Sequence, residues 1–258
     1  ELHLADIQTV KDMINEARIF NEFLPVPQTP QITDNVQELV LSAIRTKPFI
    51  LLAGISGTGK SRIVRELAFK SCPKYLQDKD GTTPGNYCMI EVKPNWHDST
   101  ELLGYYSRLG SNPGYQFTKF VKFLVKAKMF PTVPFFVCLD EMNLAPVEQY
   151  FAEILSILET RKHPKKDSSN EVDMSTVKTE VIIDAQHFKD LSKYVNLSDK
   201  DVYMTLNGWN TTEEVQSVVV DGEAGSKYDL ISTGLTLPDN VVIIGTVNMD
   251  DTTHQFSR

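Results

Sequence analysis

Apolar residues fall into two patterns along this chain: helical spacing in some stretches, short unbroken runs in others. Over 1–21, Leu4, Ile7, Val10, Ile14 and Ile19 recur near helical spacing and predict an amphipathic helix. Pro25, Pro27 and Pro30 end it and read as an extended linker. A second helix is expected from about Thr33 to Arg45, capped by Thr33 or Asp34, with Val36, Leu39, Val40 and Ile44 as its apolar stripe. Pro48 stops it, and the pattern changes. Phe49 to Ala53 is an unbroken apolar run, as expected of a strand buried on both faces of a parallel sheet. A glycine-rich turn follows, and then a helix from Lys60 to about Ser71 carrying Ile63, Val64, Leu67 and Ala68.

Three further runs predict strands: Tyr87 to Val92, Phe135 to Leu139, and Val241 to Thr246. Between them, 99–106 predicts a short turn of helix and Phe117 to Phe130 a longer helix. Another helix opens at Pro146 and runs to about Thr160. Strand, glycine turn and helix make the first half of a βαβ unit, so the expected class is α/β, a parallel sheet sandwiched by helices. Residues 161–236 break this rhythm with clusters of Lys, Asp, Ser and Asn. Their short runs Val181-Ile182-Ile183 and Val218-Val219-Val220 predict a partly β insertion with mobile loops. The expected organisation is therefore 1–30 as helix and linker, and 31–258 as one core that carries the insertion.

Composition narrows the class. At 258 residues the chain is long enough to bury a substantial core. Apolar residues at 41% and charged residues at 23% are ordinary for a soluble globular domain. No apolar run approaches the ~20 residues of a membrane span. Glu1 to Asp6 carry no basic region of the kind that opens a secretory signal. Three unclustered cysteines, Cys72, Cys88 and Cys138, suit a reduced, cytoplasmic chain. No histidine and cysteine spacing marks a zinc site. The net charge of −8 argues against this chain as the main reader of DNA, because phosphate neutralisation dominates such binding. DNA contact is expected through another domain.

The candidate chemistry lies at the ends of the apolar runs. Gly54-Ile55-Ser56-Gly57-Thr58-Gly59-Lys60-Ser61 fits G-x-x-x-x-G-K-[ST] in full. Glycines let successive backbone amides turn onto phosphate oxygens, and the helix that follows presents its own unpaired amides to an anion. Gly54, Ser56, Gly57, Thr58 and Gly59 are expected to line the phosphates, Lys60 to reach the β- and γ-phosphates, and Ser61 to offer a hydroxyl to Mg²⁺. The plain alternative is a glycine turn with a surface lysine. The run Phe135 to Leu139 delivers Asp140 and Glu141, with Asp140 placed to hold Mg²⁺ through its water shell and Glu141 to polarise an attacking water. Asn248 follows the last strand and can bond the γ-phosphate or that water. A solvated strand end and a turn asparagine are the alternatives for these.

An Asp-Glu strand followed by a strand ending in Asn resembles the AAA+ ATPases, where the elements are called Walker A, Walker B and sensor 1. The likeness covers about 32–258 without the insertion. Asp140-Glu141-Met142-Asn143-Leu144-Ala145, Tyr150 to Leu155, and Leu237 to Met249 resemble the McrB-like, dynein-related branch. Trp96 to Tyr105 occupies the place of that branch's H-x-S-Y-x-Y-E-D-x-x-x-G-Y stretch. The resemblance implies Mg-dependent hydrolysis of ATP or GTP. ATP is favoured, because Asn248-Met249-Asp250-Asp251 stands where McrB proteins carry N-T-A-D. It also implies a homo-oligomer, a hexameric ring in the full-length protein, working with a nuclease or other effector in modification-dependent DNA restriction. A MoxR-like chaperone acting on a protein partner and a nucleotide-driven assembly switch are the alternatives. The family continues past Arg258 into an arginine finger, a fifth strand and a helical lid, so slow hydrolysis by this chain alone is expected.

Overall fold

The computed structural model describes residues 39–40, 42–44, 47, 49–78, 80–109, 114–162, 165–166, 172–173, 179–195 and 230–249. The helix expected over 1–21, the proline linker, Val218–Val220, Asp250, Asp251 and Arg258 lie outside the described residues. The chain divides into two units, Glu1–Ala43 and Ile44–Arg258. In the first, the described residues Leu39, Val40, Ser42 and Ala43 are helical.

The second unit is built on a four-stranded, all-parallel sheet. Its strands are β1 (Phe49–Gly54), β2 (Tyr87–Glu91), β5 (Phe135–Asp140) and β10 (Val241–Asn248), in the spatial order β1-β10-β5-β2. Helices flank it: α1 (Lys60–Ser71) packs on all four strands, and α3 (Lys119–Met129) on β2. Parallel strands must be joined by crossovers, and these helices are two of them. Register sets Gly54 beside Asn248 and Glu91 beside Asp140. All four C-terminal ends therefore open on one edge, the edge where open α/β sheets bind ligands.

Burial explains the strand sequences. Phe135 to Leu139 are all buried, which an unbroken apolar run at the sheet centre requires. β1 departs from expectation. None of its residues is buried, and Leu51 is 40% exposed. It pairs only with β10, and among the described residues no strand pairs with its other edge. An apolar run reports strand propensity but not strand position.

α3 buries Phe120, Val121, Leu124, Val125 and Ala127. Thr118 caps its start by accepting the Val121 amide at 3.2 Å. Beyond its end, Asn240 donates to the carbonyls of Ala127, Phe130 and Val133 at 3.0, 2.8 and 2.8 Å, which ties the entry of β10 to that helix. The expected turn of helix in 99–106 is α2 (Thr100–Leu103). An unexpected hairpin follows at once: β3 (Gly104–Ser107) pairs antiparallel with β4 (Gly114–Phe117). Pro146 precedes α4 (Val147–Tyr150), and the expected helix breaks at Phe151 before resuming as α5 (Ala152–Glu159).

The insertion carries short strands, β6 (Lys165–Lys166), β7 (Val172–Asp173), β8 (Val181–Ile183) and β9 (Leu235–Thr236), of which β8 falls on an expected run. It also carries two helices that the pattern did not suggest, α6 (Ala185–Val195) and α7 (Leu230–Thr233). Phe188 on α6 is fully buried and stacks on Phe117 at 5.1 Å. No helix among the described residues is long and apolar enough to cross a membrane.

Candidate functional site

The first turn off the sheet edge runs from Gly54 to Lys60. Gly57 and Gly59 take φ of 77° and 80°, in the left-handed region that residues with a Cβ avoid. Nothing lies within 4 Å of a Cβ built at either, so backbone conformation and not crowding demands glycine there. Gly59 stands at the start of α1 with no side chain capping the helix and no acid in its first turn. The opening amides of α1 are thus left to an outside acceptor. Residues Ser56 to Gly59 are exposed. Lys60 folds back across this turn. Its Nζ donates to the carbonyls of Gly54 and Ile55 at 3.1 and 2.8 Å and to Asn248 Oδ1 at 3.0 Å.

The second turn leaves β5. Ser61 donates its hydroxyl to Asp140 Oδ1 across the edge. Thr246 also donates to Asp140 Oδ1, at 2.7 Å, while its Oγ1 accepts the Glu141 amide at 3.0 Å. Glu141 has φ of 55°, the one positive φ outside glycine among the described residues. Its Oε1 accepts from Asn248 Nδ2 at 2.7 Å. Asn248 is the last residue of β10, not the residue past its end, and its carbonyl accepts from Asn143 Nδ2 at 2.8 Å. Lys60, Ser61, Asp140, Glu141 and Asn248 therefore form one connected group. β10 makes this possible, because it lies between β1 and β5 and brings Asn248 within reach of both turns.

Gly54 meets only ordinary contacts at a built Cβ, from Thr58 Oγ1 at 3.6 Å and Lys60 Cδ at 3.9 Å. Thr58 turns its hydroxyl to the Ile55 carbonyl at 2.8 Å. Two residues escaped the sequence reading, Thr246 and Asn143. Thr246 had a signal: a hydroxyl inside an apolar strand, two positions before Asn248 and so on the same face. Asn143, 2% exposed in the turn after Glu141, had none beyond its place in the D-E-M-N run.

The three cysteines are buried and free. Burial, reinforced by the Asp140 charge, pushes the Cys138 thiol up to about 12, and burial pushes Cys88 up to about 11. Asp98 accepts from the Thr100 hydroxyl and from its amide at 2.9 Å, which lowers its carboxyl below the usual range. These bonds tie it to the first residue of α2, and the charge of His97 adds a smaller lowering. Among the described residues no group of three or more His, Cys, Asp or Glu side chains could hold a metal. No protein-family model matches the chain, and no curated protein matches it.

Proposed function

We propose that this chain binds a nucleoside triphosphate, ATP in preference to GTP, with Mg²⁺, and hydrolyses its terminal phosphoanhydride bond as an AAA+ P-loop ATPase subunit. The observation that carries the reading is the connected group itself. An ammonium, a hydroxyl, two carboxylates and an amide from three separate strand ends converge beside a turn of exposed amides. A glycine turn with a surface lysine has no need to bond Asn248, and a solvated strand end has no need to hold Ser61.

The donor set suits Mg²⁺. This ion keeps most of its waters and takes one or two protein oxygens together with phosphate oxygens. Ser61 and Asp140, already in contact, are that set. When bound, the ion neutralises charge on the phosphate oxygens. Lys60 exchanges its loop carbonyls for the β- and γ-phosphates, and the exposed amides of the turn take the remaining oxygens. Glu141 receives the proton of the water whose oxygen attacks the terminal phosphorus. The bond from that phosphorus to the bridging oxygen breaks, giving nucleoside diphosphate and inorganic phosphate. Asn248, in reach of both Lys60 and Glu141, orients them toward one another. The D-E-M-N-L-A run at Asp140–Ala145 extends the reading to a McrB-like motor subunit, assembled as a ring with a nuclease or other effector.

The test is titration of ATP and of GTP, each with Mg²⁺, into the wild-type chain and Lys60→Ala. Loss of the ammonium is expected to weaken binding about 10- to 100-fold, the range for a hydrogen bond to a charged group. GTP preference would favour the McrB-like role, ATP preference a more general AAA+ remodeller. Binding that Lys60→Ala leaves unchanged would overturn the proposal.

A further inference from the structure

Thr246 is 1% exposed on β10, among Ile243, Ile244 and Val247. A hydroxyl in such a place is costly unless it is bonded, and valine would fill the same shape without that cost. Both of its hydrogen-bonding capacities go to the acidic turn. It donates to Asp140 Oδ1 at 2.7 Å and accepts the Glu141 amide at 3.0 Å. A single hydroxyl thus fixes the side chain of one carboxylate and the backbone of the next.

Asp140 uses its two oxygens unequally. Oδ1 accepts from both Ser61 and Thr246, while Oδ2 accepts no hydrogen bond among the described residues. Oδ2 is therefore the oxygen left without a donor. A cation takes a lone pair of the Ser61 hydroxyl and leaves its proton, so Ser61 and Thr246 can both stay on Oδ1. Glu141 is held at φ 55° between its amide bond to Thr246 and its carboxylate bond from Asn248.

We propose that Thr246 is a positioning residue for the cation. Its hydroxyl orients Asp140 for Mg²⁺ and holds the backbone from which Glu141 projects. This rests on the reading of the site as one for Mg²⁺ and a nucleotide. Groups that orient a metal-binding carboxylate tune its affinity for the metal.

The experiment compares Thr246→Ala with Thr246→Ser in the full chain. Both lack the γ-methyl, and only serine keeps the hydroxyl. ATP is the probe, held at fixed concentration while Mg²⁺ is titrated. ATP affinity in excess chelator and the thermal midpoint are measured alongside. Thr246→Ala is expected to raise the Mg²⁺ concentration for half-saturation about 10- to 100-fold, with Thr246→Ser close to wild type and metal-free ATP affinity unchanged. Thr246→Val replaces alanine if the latter does not fold. An unchanged Mg²⁺ midpoint in the hydroxyl-free variant would overturn the proposal. So would equal shifts in alanine and serine with a matching loss of metal-free affinity, which indicate packing alone. If the wild type itself binds ATP no better with Mg²⁺ than without, the site reading fails and this inference falls with it.

Discussion

Two turns leave the same edge of the sheet and meet the same backbone demand with opposite residues. The turn after β1 places glycine at both of its left-handed positions, Gly57 and Gly59. The turn after β5 places Glu141 there. A glycine turn is relaxed, and its amides are free to face outward. A glutamate at φ 55° stores about 1–2 kcal/mol, and such strain persists only where the surroundings hold it. Here they do: Thr246 takes the Glu141 amide, Asn248 its carboxylate, and its carbonyl accepts the Leu144 amide at 2.9 Å. One turn is set by glycine backbone alone, the other by the hydrogen bonds that surround a single strained residue.

The sharpest separation of the two is chemical. On the proposed function, Glu141→Gln keeps shape and removes the proton acceptor, so turnover is expected to fall about 10²- to 10⁴-fold while nucleotide affinity holds. Retained turnover would show that the acidic turn does not carry the chemistry. Next in size is the strand that joins the turns. A Cβ at Gly245 would meet Met142 Sδ at 2.1 Å and Leu51 Cδ1 at 2.9 Å, so Gly245→Ala should cost about 1–3 kcal/mol in denaturant unfolding. A loss under about 0.5 kcal/mol would mean that Met142 simply swings aside. Gly59→Ala meets no neighbour, and its cost of about 1–2 kcal/mol is backbone strain alone. The reverse exchange has the smallest effect. Glu141→Gly releases strain but loosens the unfolded chain, for a net gain of up to about 1 kcal/mol. If it destabilises instead, Glu141 contributes bonds worth more than its strain, and the contrast between the turns is weaker than drawn.

The same contrast explains what the sequence disclosed. The glycine turn is legible because only glycine suits its backbone, so the residue type announces the conformation. Glu141 announces nothing of its φ, since its strain is imposed by Thr246, Asn248 and the chain after it. Strands β2, β5 and β10 and helices α1 and α3 are legible because each presents an uninterrupted run or a helical stripe. The sheet order is not written in any single run, and it is the order that sets β10 between the turns and joins Lys60 to Glu141 through Asn248. The hairpin β3–β4 hides behind Gly104, whose φ of 107° and close approach to the Gln116 carbonyl are tertiary facts. Helix α6 lies in a polar stretch, and its burial depends on Phe188 meeting Phe117.

The buried thiols give the molecule a practical property. Reaction with a maleimide or a disulfide reagent needs an accessible thiolate. All three cysteines of the chain are enclosed, and two are held protonated well past neutral pH. The native protein is therefore a blank background for labelling. A single cysteine introduced at Ser56, exposed in the glycine turn, would carry the only dye and report on that turn alone.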